Sequence, residues 1–241
     1  MMEFNFSKRI GQFGFDSRIL GWLVGAAFLL AGWMYLQAYP QHNPLAPLNI
    51  NDPPGLATST KLLSVTDDRG ECREALARSG VKFRQLPARG EGPCALLDRT
   101  QLMEAALAPS PPVMTCPVAA AMEIWVRHGL QAAAQEHLGA TVTQIDHIGT
   151  VSCRRMNNRR SGPWSEHAHG NAIDIRSFTL SDGRVVDIKD DWGQGDEGEF
   201  LKAARDAACV SFRTVLSADY NASHSNHFHL DQGTRWATVC R

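Results

Sequence analysis

Two short segments of this 241-residue chain contain residue types that bind metal ions and transfer protons. Five of its nine histidines lie between His167 and His229, and the same region contains Asp174. Histidine and aspartate ligands with one coordination position left open form the donor set of a catalytic zinc site. Zinc in such a site polarises a carbonyl group and lowers the pKa of water, so the pattern predicts metal-assisted hydrolysis.

The second segment, residues 224–229, has the alternation expected of a strand. Residues two apart in a strand share a face, so His227 and His229 point to one side and Phe228 to the other. Asp174 lies between two isoleucines and should also project from the polar face of its strand. The two strands together predict a patch of metal ligands backed by an apolar core.

The first segment, residues 165–174, contains further candidates. His167 precedes Asp174 by seven residues, at the entry to the strand, and can reach back over the sheet. His169 is an alternative ligand, two residues further on. We expect Ser165 to orient a ligand through a hydrogen bond rather than to act as a nucleophile.

The spacing of these residues resembles that of a known zinc peptidase group. In this chain the pattern is Ser165-x-His167-x-x-Gly170-x-Ala172-x-Asp174 with a later His227-x-His229. It is similar to that of the group formed by lysostaphin, D-Ala-D-Ala peptidases and the Sonic hedgehog domain. From about Cys72 to Cys240 the chain also resembles the extensin-like C-terminal domain family of bacterial envelope proteins. The matching segments are Gly-Pro-Cys at 92–94, Thr-Cys-Pro-Val at 115–118, Cys-Arg-Arg-Met-Asn-Asn at 153–158, Ser-Glu-His-Ala at 165–168, Asp-Asp-Trp at 190–192 and His-Phe-His-Leu-Asp at 227–231.

This resemblance implies a Zn²⁺ cofactor with three ligands: His167, Asp174 and His229. It also implies that His227, next to the metal, is catalytic and that His224 assists it. Asn226 stands where the dipeptidases of the group have a glutamate base, so the chain resembles the endopeptidase variant. In that variant neutral imidazoles accept the proton and charged ones stabilise the oxyanion.

Arg154 and Arg155 are candidates for binding the substrate. A guanidinium group binds a carboxylate through two hydrogen bonds, so either arginine could hold a carboxylate of the substrate. The alternative is a solvated basic cluster that these residues form with Arg159 and Arg160. The sequence leaves both interpretations open.

Residues 19–36 form an 18-residue run without a charged side chain, close to the length that crosses a bilayer. A cleavable signal peptide has a shorter apolar region, and residues 37–40 lack a small-residue cleavage site. We therefore favour an uncleaved transmembrane anchor over a signal peptide or a buried core helix. Lys8, Arg9 and Arg18 precede the run, and positive residues remain on the cytoplasmic side. The sequence predicts a single-pass inner-membrane protein with residues 1–18 in the cytoplasm and its C-terminal domain in the periplasm.

The region after the apolar run divides into a linker and a folded domain. Residues 40–54 contain five prolines, so we expect residues 37–60 to form a semi-rigid extended spacer that separates the domain from the membrane. Residues 61–241 should form one periplasmic domain.

All six cysteines follow the apolar run: Cys72, Cys94, Cys116, Cys153, Cys209 and Cys240. An even number in an exported domain predicts disulfide bonds, and the absence of a Cys-x-x-Cys spacing disfavours a cysteine zinc site. Six cysteines allow 15 pairings. Our expectation is pairing between neighbours along the chain, 72–94, 116–153 and 209–240.

Hydrophobic periodicity and turn residues predict an α+β fold with a small antiparallel sheet and flanking helices. Helices are expected at residues 71–79, 117–138 and 197–212. Strands are expected at residues 140–152, 171–180, 185–188, 214–216 and 227–230. An Asp-Gly turn should join the second and third of these strands as a hairpin.

These expectations favour a membrane-anchored periplasmic zinc metallopeptidase that hydrolyses peptide cross-links of peptidoglycan. Peptidoglycan and the inner membrane are then its partners, whereas a net charge of -1 and a pI near 6.7 argue against binding to nucleic acid. Three alternatives remain. They are a non-catalytic cell-wall-binding or scaffolding domain with a structural zinc, a D,D-carboxypeptidase, and a hydrolase of another periplasmic amide or ester.

Overall fold

The computed structural model describes residues 10–233 and 238–241. A long helix, α1 (Ile10–Ala38), precedes the folded region. Its stretch Ser17–Ala38 has a mean hydropathy of 1.9 and no buried residue, so it is long and apolar enough to cross a membrane. The expected span, residues 19–36, lies within it. Half of the expected cytoplasmic segment, residues 1–9, lies outside the described residues.

The proline-rich segment after α1 packs against the domain. Leu48 and Ile50 are 4% and 0% exposed and belong to the hydrophobic core. The backbone N–H of Ile50 donates to Ser79 Oγ at 2.9 Å. Our expectation of an extended spacer is therefore wrong, because prolines prevent regular backbone hydrogen bonding but leave the intervening apolar side chains free to pack.

Four α-helices lie between residues 58 and 138: α2 (Thr58–Ser64), α3 (Arg69–Arg78), α4 (Cys116–Trp125) and α5 (Gln131–Leu138). A short helix, α6 (Ile188–Asp191), follows later in the chain. Asp68 caps α3 by accepting hydrogen bonds from the N–H groups of Gly70 and Glu71. One π-helical turn, Val126–Leu130, joins α4 to α5, so the expected helix at 117–138 is confirmed with a local widening.

The last long helix, α7 (Gly195–Ser211), packs against this π-helical turn. A Cβ atom on Gly129 would approach the Ala207 Cβ to 2.6 Å. Only glycine therefore permits this close approach between the two helices. The observed α7 agrees with the helix expected at residues 197–212.

A mixed sheet forms the centre of the domain. Its described strands are β3 (Leu107–Ala108), β4 (Val142–Gly149), β5 (Ala172–Leu180), β6 (Val185–Asp187), β7 (Thr214–Leu216), β8 (Phe228–Asp231) and β9 (Val239–Cys240). Six run in the order β3-β4-β5-β8-β7-β9, and β6 pairs with β5. Strands β1 (Phe83–Gln85) and β2 (Thr100–Leu102) form a separate antiparallel pair.

The α+β class is confirmed, but the expected small antiparallel sheet is wrong. The β3–β4 and β7–β9 pairs are parallel, and the other pairs of this sheet are antiparallel. Each of the two parallel edge strands contains two residues, which is too short to show a hydrophobic alternation. The expected hairpin of β5 and β6 is present.

The core fills the space between the sheet and the helices. Four side chains on one face of β5 and β8 are fully buried: Ile173, Ile175, Phe228 and Leu230. Phe178, also in β5, makes edge contacts with Trp125 of α4 and Phe200 of α7, with ring centroids 6.1 and 5.4 Å apart. The helical layer thus covers one face of the central strands and leaves the alternate side chains on the other face.

Three disulfide bonds join all six cysteines: Cys72–Cys116, Cys94–Cys153 and Cys209–Cys240. The expected 209–240 pair is confirmed, whereas the expected 72–94 and 116–153 pairs are wrong. Helices α3 and α4 pack together and bring Cys72 to Cys116, so spatial contact rather than order along the chain decides the pairing. Complete pairing is typical of proteins in an oxidising compartment.

Candidate metal centre

Three side chains converge on one point on the face of the sheet opposite the helical layer. His167 Nε2 lies 3.1 Å from Asp174 Oδ1 and 3.0 Å from His229 Nδ1. His229 Nδ1 lies 2.9 Å from the same Asp174 oxygen. Ligand atoms around tetrahedral zinc are roughly 3.3 Å apart, given bond lengths near 2.0–2.1 Å. The triangle of atoms therefore has nearly the dimensions of a zinc site.

Pairing between β5 and β8 positions two of the three side chains. Asp174 and His229 are direct partners in the antiparallel register, so their side chains lie side by side on one face. Both are half-buried, whereas their neighbours along the strands are fully buried in the core. The expected alternation, with ligands on one face and apolar residues on the other, is thus present.

A short 3₁₀ turn, Glu166–His169, carries the third side chain. Ser165 caps this turn, because its Oγ accepts a hydrogen bond from the N–H of His167 at 3.4 Å. Gly170 ends it with a φ of 70°, in the left-handed region that favours glycine. The turn places His167 in the interior, only 3% exposed, with its Nε2 directed at Asp174.

Hydrogen bonds on the far side of each imidazole leave the converging nitrogens as acceptors. His167 Nδ1 donates to the carbonyl of Thr150 at 3.2 Å, so Nε2 of the neutral ring carries a lone pair. His229 Nε2 donates to Asp231 Oδ2 at 3.0 Å, so Nδ1 of the neutral ring carries a lone pair. Two imidazole lone pairs and one carboxylate oxygen face each other at about 3 Å, an arrangement that fits a divalent cation such as zinc.

The pKa shifts within the cluster show that a positive charge there is favourable. Burial lowers the pKa of His229, but hydrogen bonds to Asp174 and Asp231 outweigh it and raise that pKa to about 9. Burial raises the pKa of Asp174, yet the hydrogen bonds that His167 and His229 donate when their inward nitrogens are protonated, as in the metal-free cluster, hold that pKa well below its usual range. Without a metal, the cluster therefore retains a proton at neutral pH.

Two further histidines lie beside the cluster. His227 Nε2 is 3.8 Å from Asp174 Oδ1, and the ring of His224 lies 5.2 Å from that of His227 between centroids. His227 Nδ1 pairs with the Asn226 side-chain oxygen at 2.8 Å, and His224 Nδ1 with that of Asn221 at 2.9 Å. Because the amide oxygens accept, Nδ1 of each ring carries the proton and Nε2 is free to accept one.

Burial and the neighbouring positive charges keep both of these rings neutral. Desolvation is the main cause that lowers the pKa of His224 to about 4, and the repulsion between the two rings when both are protonated adds to it. Desolvation also lowers the pKa of His227, against the attraction of Asp174. Both imidazoles can therefore act as proton acceptors at neutral pH.

The cleft in front of these histidines contains one of the two candidate arginines. Arg154, Tyr220, His224 and His229 line a cavity of about 120 Å³. Arg154 is half-buried there. The Arg155 guanidinium instead donates to the carbonyl of Gly162 and stacks over Trp164 at 4.4 Å. The structure thus brings Arg154 to the cleft and keeps Arg155 within its own loop.

His169 lies outside the cluster. Its side chain is exposed and lines a separate depression with Asp67 and Arg69, on the other side of the 3₁₀ turn. Of the two histidines in the first segment, His167 is therefore the one that reaches Asp174.

Two groups that orient the candidate ligands were missed from the sequence. Asp231 is fully buried, accepts from His229 Nε2 and receives the N–H of Gly233 at 2.8 Å. It lies two residues after His229 on the same strand, so the alternation that identified the histidines could also have identified it. The carbonyl of Thr150 had no such signal, because any residue type can supply it.

Comparisons with known proteins give a family assignment. No curated protein and no solved structure matched the chain. Residues 70–241, about seven tenths of the chain, match the family described as extensin-like protein C-terminus. This region includes all six cysteines, the candidate metal centre and the strands that carry it. The chain therefore belongs to the family of extensin-like protein C-terminal domains.

Proposed function

We propose that the chain is a membrane-anchored zinc metallopeptidase of the periplasm that hydrolyses peptide cross-links of peptidoglycan. One observation carries the proposal: three acceptor atoms of His167, Asp174 and His229 converge beside two neutral histidines. The similarity of the motif to the zinc peptidase group that includes lysostaphin supports the same reading.

His167, Asp174 and His229 would hold the metal, which supplies the polarisation of the scissile carbonyl and the activation of water. Asp231 and the Thr150 carbonyl fix the two imidazoles in the tautomers that leave lone pairs inward. The donor set of two nitrogens and one oxygen is that of many catalytic zinc sites with one position open to substrate.

The remaining histidines supply the acid–base chemistry. His227 Nε2 lies nearest the cluster and accepts the proton of the attacking water, then returns it to the departing amine. The ring of His224 contacts that of His227 and stays neutral, so it adds no positive charge that would oppose this transfer. Asn226 cannot act as a base, which leaves these two imidazoles to transfer the proton.

The choice of substrate rests on the compartment and on Arg154. Three disulfides and an apolar N-terminal helix favour an exported domain at the membrane, where peptidoglycan is the abundant peptide polymer. Arg154 lines the same cleft as His224 and His229, where its guanidinium can bind a carboxylate of the peptide.

The test uses the full-length chain in detergent micelles, loaded with zinc and incubated with cross-linked muropeptides. We expect the dimers to become monomers, with His229→Ala inactive and the matched control His169→Ala unaffected. Release of a terminal D-alanine without loss of the cross-link would indicate a D,D-carboxypeptidase. Binding to sacculi with no hydrolysis would indicate a cell-wall-binding domain with a structural metal.

A further inference from the structure

The folded domain is fastened directly to the end of α1. The 3₁₀ turn Pro40–His42 follows the helix, and the carbonyl of Pro40 accepts a hydrogen bond from Lys61 Nζ at 2.6 Å. The carbonyl of Gln41 accepts the N–H of Ala57 at 3.0 Å. Since Lys61 is itself only 4% exposed, this contact belongs to the interior of the domain. The structure therefore leaves no loose tether between helix and domain.

Two loops at this attachment present leucines to solvent. Leu45 and Leu56 are each 88% exposed, the highest values among the large apolar side chains of the described chain. The N–H of Leu45 donates to Asn43 Oδ1 at 3.0 Å, and that of Leu56 to His42 Nδ1 at 3.2 Å. These contacts hold the backbone of both loops in the conformation that leaves the leucines exposed.

Both leucines lie close to where α1 would leave a bilayer. Leu56 is bonded to His42, and the four residues after Ala38 span at most about 14 Å of chain. Tyr39, 48% exposed, lies between them and the helix, and tyrosine is enriched at the interface of membrane and water. These three side chains form what we call the juxtamembrane patch.

The charge of this segment fits a neutral lipid surface. Asp52 is the one Asp, Glu, Lys or Arg between residues 37 and 60, and it accepts a hydrogen bond from Asn49 Nδ2 at 3.0 Å. The patch can thus enter the interfacial region without desolvating a charge. Residues 37–60 themselves contain no Lys or Arg with which proteins bind anionic headgroups or acidic partners.

We propose that the domain rests on the outer surface of the membrane through the juxtamembrane patch, with Leu45 and Leu56 inserted at the level of the lipid headgroups. The inference depends on α1 being a membrane anchor and is independent of the chemistry at the metal centre. It assigns a lipid surface, rather than a protein, as the partner of these residues.

The same attachment sets the direction in which the metal centre faces. In the segment after α1, the carbonyl of Ile50 accepts a hydrogen bond from His128 of the π-helical turn. Ser59 Oγ donates a hydrogen bond to the carbonyl of Val210 in α7. The segment therefore touches the helical layer, whereas Asp174 and His229 lie on the opposite face of the sheet. A domain docked in this way directs its cleft away from the bilayer.

Photocrosslinking of the full-length chain in vesicles of the zwitterionic lipids phosphatidylethanolamine and phosphatidylcholine tests this inference. Benzoylphenylalanine is placed at Leu45 or Leu56, at Leu29 within α1 as the positive control, and at Val185 and Tyr220 as negative controls. Val185 is 59% exposed and lies far from the attachment. Its neighbour Arg184 binds Glu197 at the start of α7, whereas the attachment contacts Val210 at the end of this 17-residue helix. Tyr220 lines the cleft.

We expect lipid adducts at Leu45 and Leu56 at a level similar to Leu29, and about tenfold less at the two negative controls. Adducts at Leu29 without adducts at Leu45 and Leu56, or adducts to protein in place of lipid, would overturn the docking. A lipid adduct at Tyr220 would overturn the orientation of the cleft. No lipid adduct at Leu29 would overturn the anchor on which the inference depends.

Discussion

The fully buried carboxylate of Asp231 accepts, through Oδ2, a hydrogen bond from His229 Nε2 at 3.0 Å. The bond determines which nitrogen of His229 faces Asp174 with a free lone pair. Gly233 N–H holds the other oxygen of Asp231 at 2.8 Å, so the carboxylate cannot turn away. A residue outside the three candidate ligands thereby controls the geometry of the candidate metal centre.

Asp231→Asn should weaken zinc binding by about 10–100-fold, the usual effect of losing a partner that orients a ligand. The amide would donate to His229 Nε2 and move the imidazole proton to Nδ1, where the lone pair is needed. Competition with a zinc-selective dye measures the affinity. Asp182→Asn, at an exposed position, is the control, and equal affinities for the two variants would contradict the role of Asp231.

Zinc affinity should rise with pH between about 7 and 9. His229 has its pKa raised to about 9 in the metal-free protein, so its proton is bound below that pH and the metal must displace it. The dissociation constant should fall about tenfold per pH unit and become constant above pH 9. Calorimetry in buffers of different ionisation enthalpy should show about one proton released at pH 7.5. A pH-independent affinity over this range would contradict the proton-sharing cluster.

The Cys94–Cys153 bond should support the metal centre more than the Cys209–Cys240 bond does. The 3₁₀ turn Gly92–Cys94 packs against the turn that carries His167, and Ser152 N–H donates to the carbonyl of His167 at 2.9 Å. Removing a disulfide costs about 2–5 kcal/mol of stability in small exported domains. Replacing Cys94 and Cys153 by serine should therefore lower both the melting temperature and zinc affinity. The matched variant, with Cys209 and Cys240 replaced by serine, should have a lower melting temperature and an unchanged zinc affinity. Equal losses of zinc affinity in the two variants would refute this difference.

Gly129→Ala should destabilise the domain by about 1–3 kcal/mol, because the new methyl group overlaps Ala207 in α7. The melting temperature should fall by about 2–4 °C per kcal/mol for a domain of this size. Adding Ala207→Gly should restore part of the loss by removing the clashing atom. Additive losses in the double variant would show that the two positions are not in contact.

The sequence predicted what depends on local pattern. The alternation around Phe228 placed His227 and His229 on the face opposite the core, and the strand at residues 214–216 agrees residue for residue with β7. These signals are local because a strand sets its faces by its own periodicity.

What the sequence did not reveal depends on tertiary contacts. The Cys72–Cys116 bond follows from the packing of α3 on α4, and the two-residue strands β3 and β9 form by pairing with longer neighbours. Leu48 and Ile50 carry no signal of burial within a proline-rich stretch. The Thr150 carbonyl has no side-chain signature, yet it fixes the tautomer of His167.

The most direct measurement follows cross-linked muropeptides by mass spectrometry with zinc-loaded full-length protein and with His227→Ala. We predict that the wild-type chain cleaves the cross-link. His227→Ala should retain one zinc per chain and lose about 10²–10⁴-fold in rate, the contribution of a positioned acid–base group. Intact cross-links after incubation with wild-type protein that carries one zinc would contradict the proposal that the chain is a peptidoglycan peptidase.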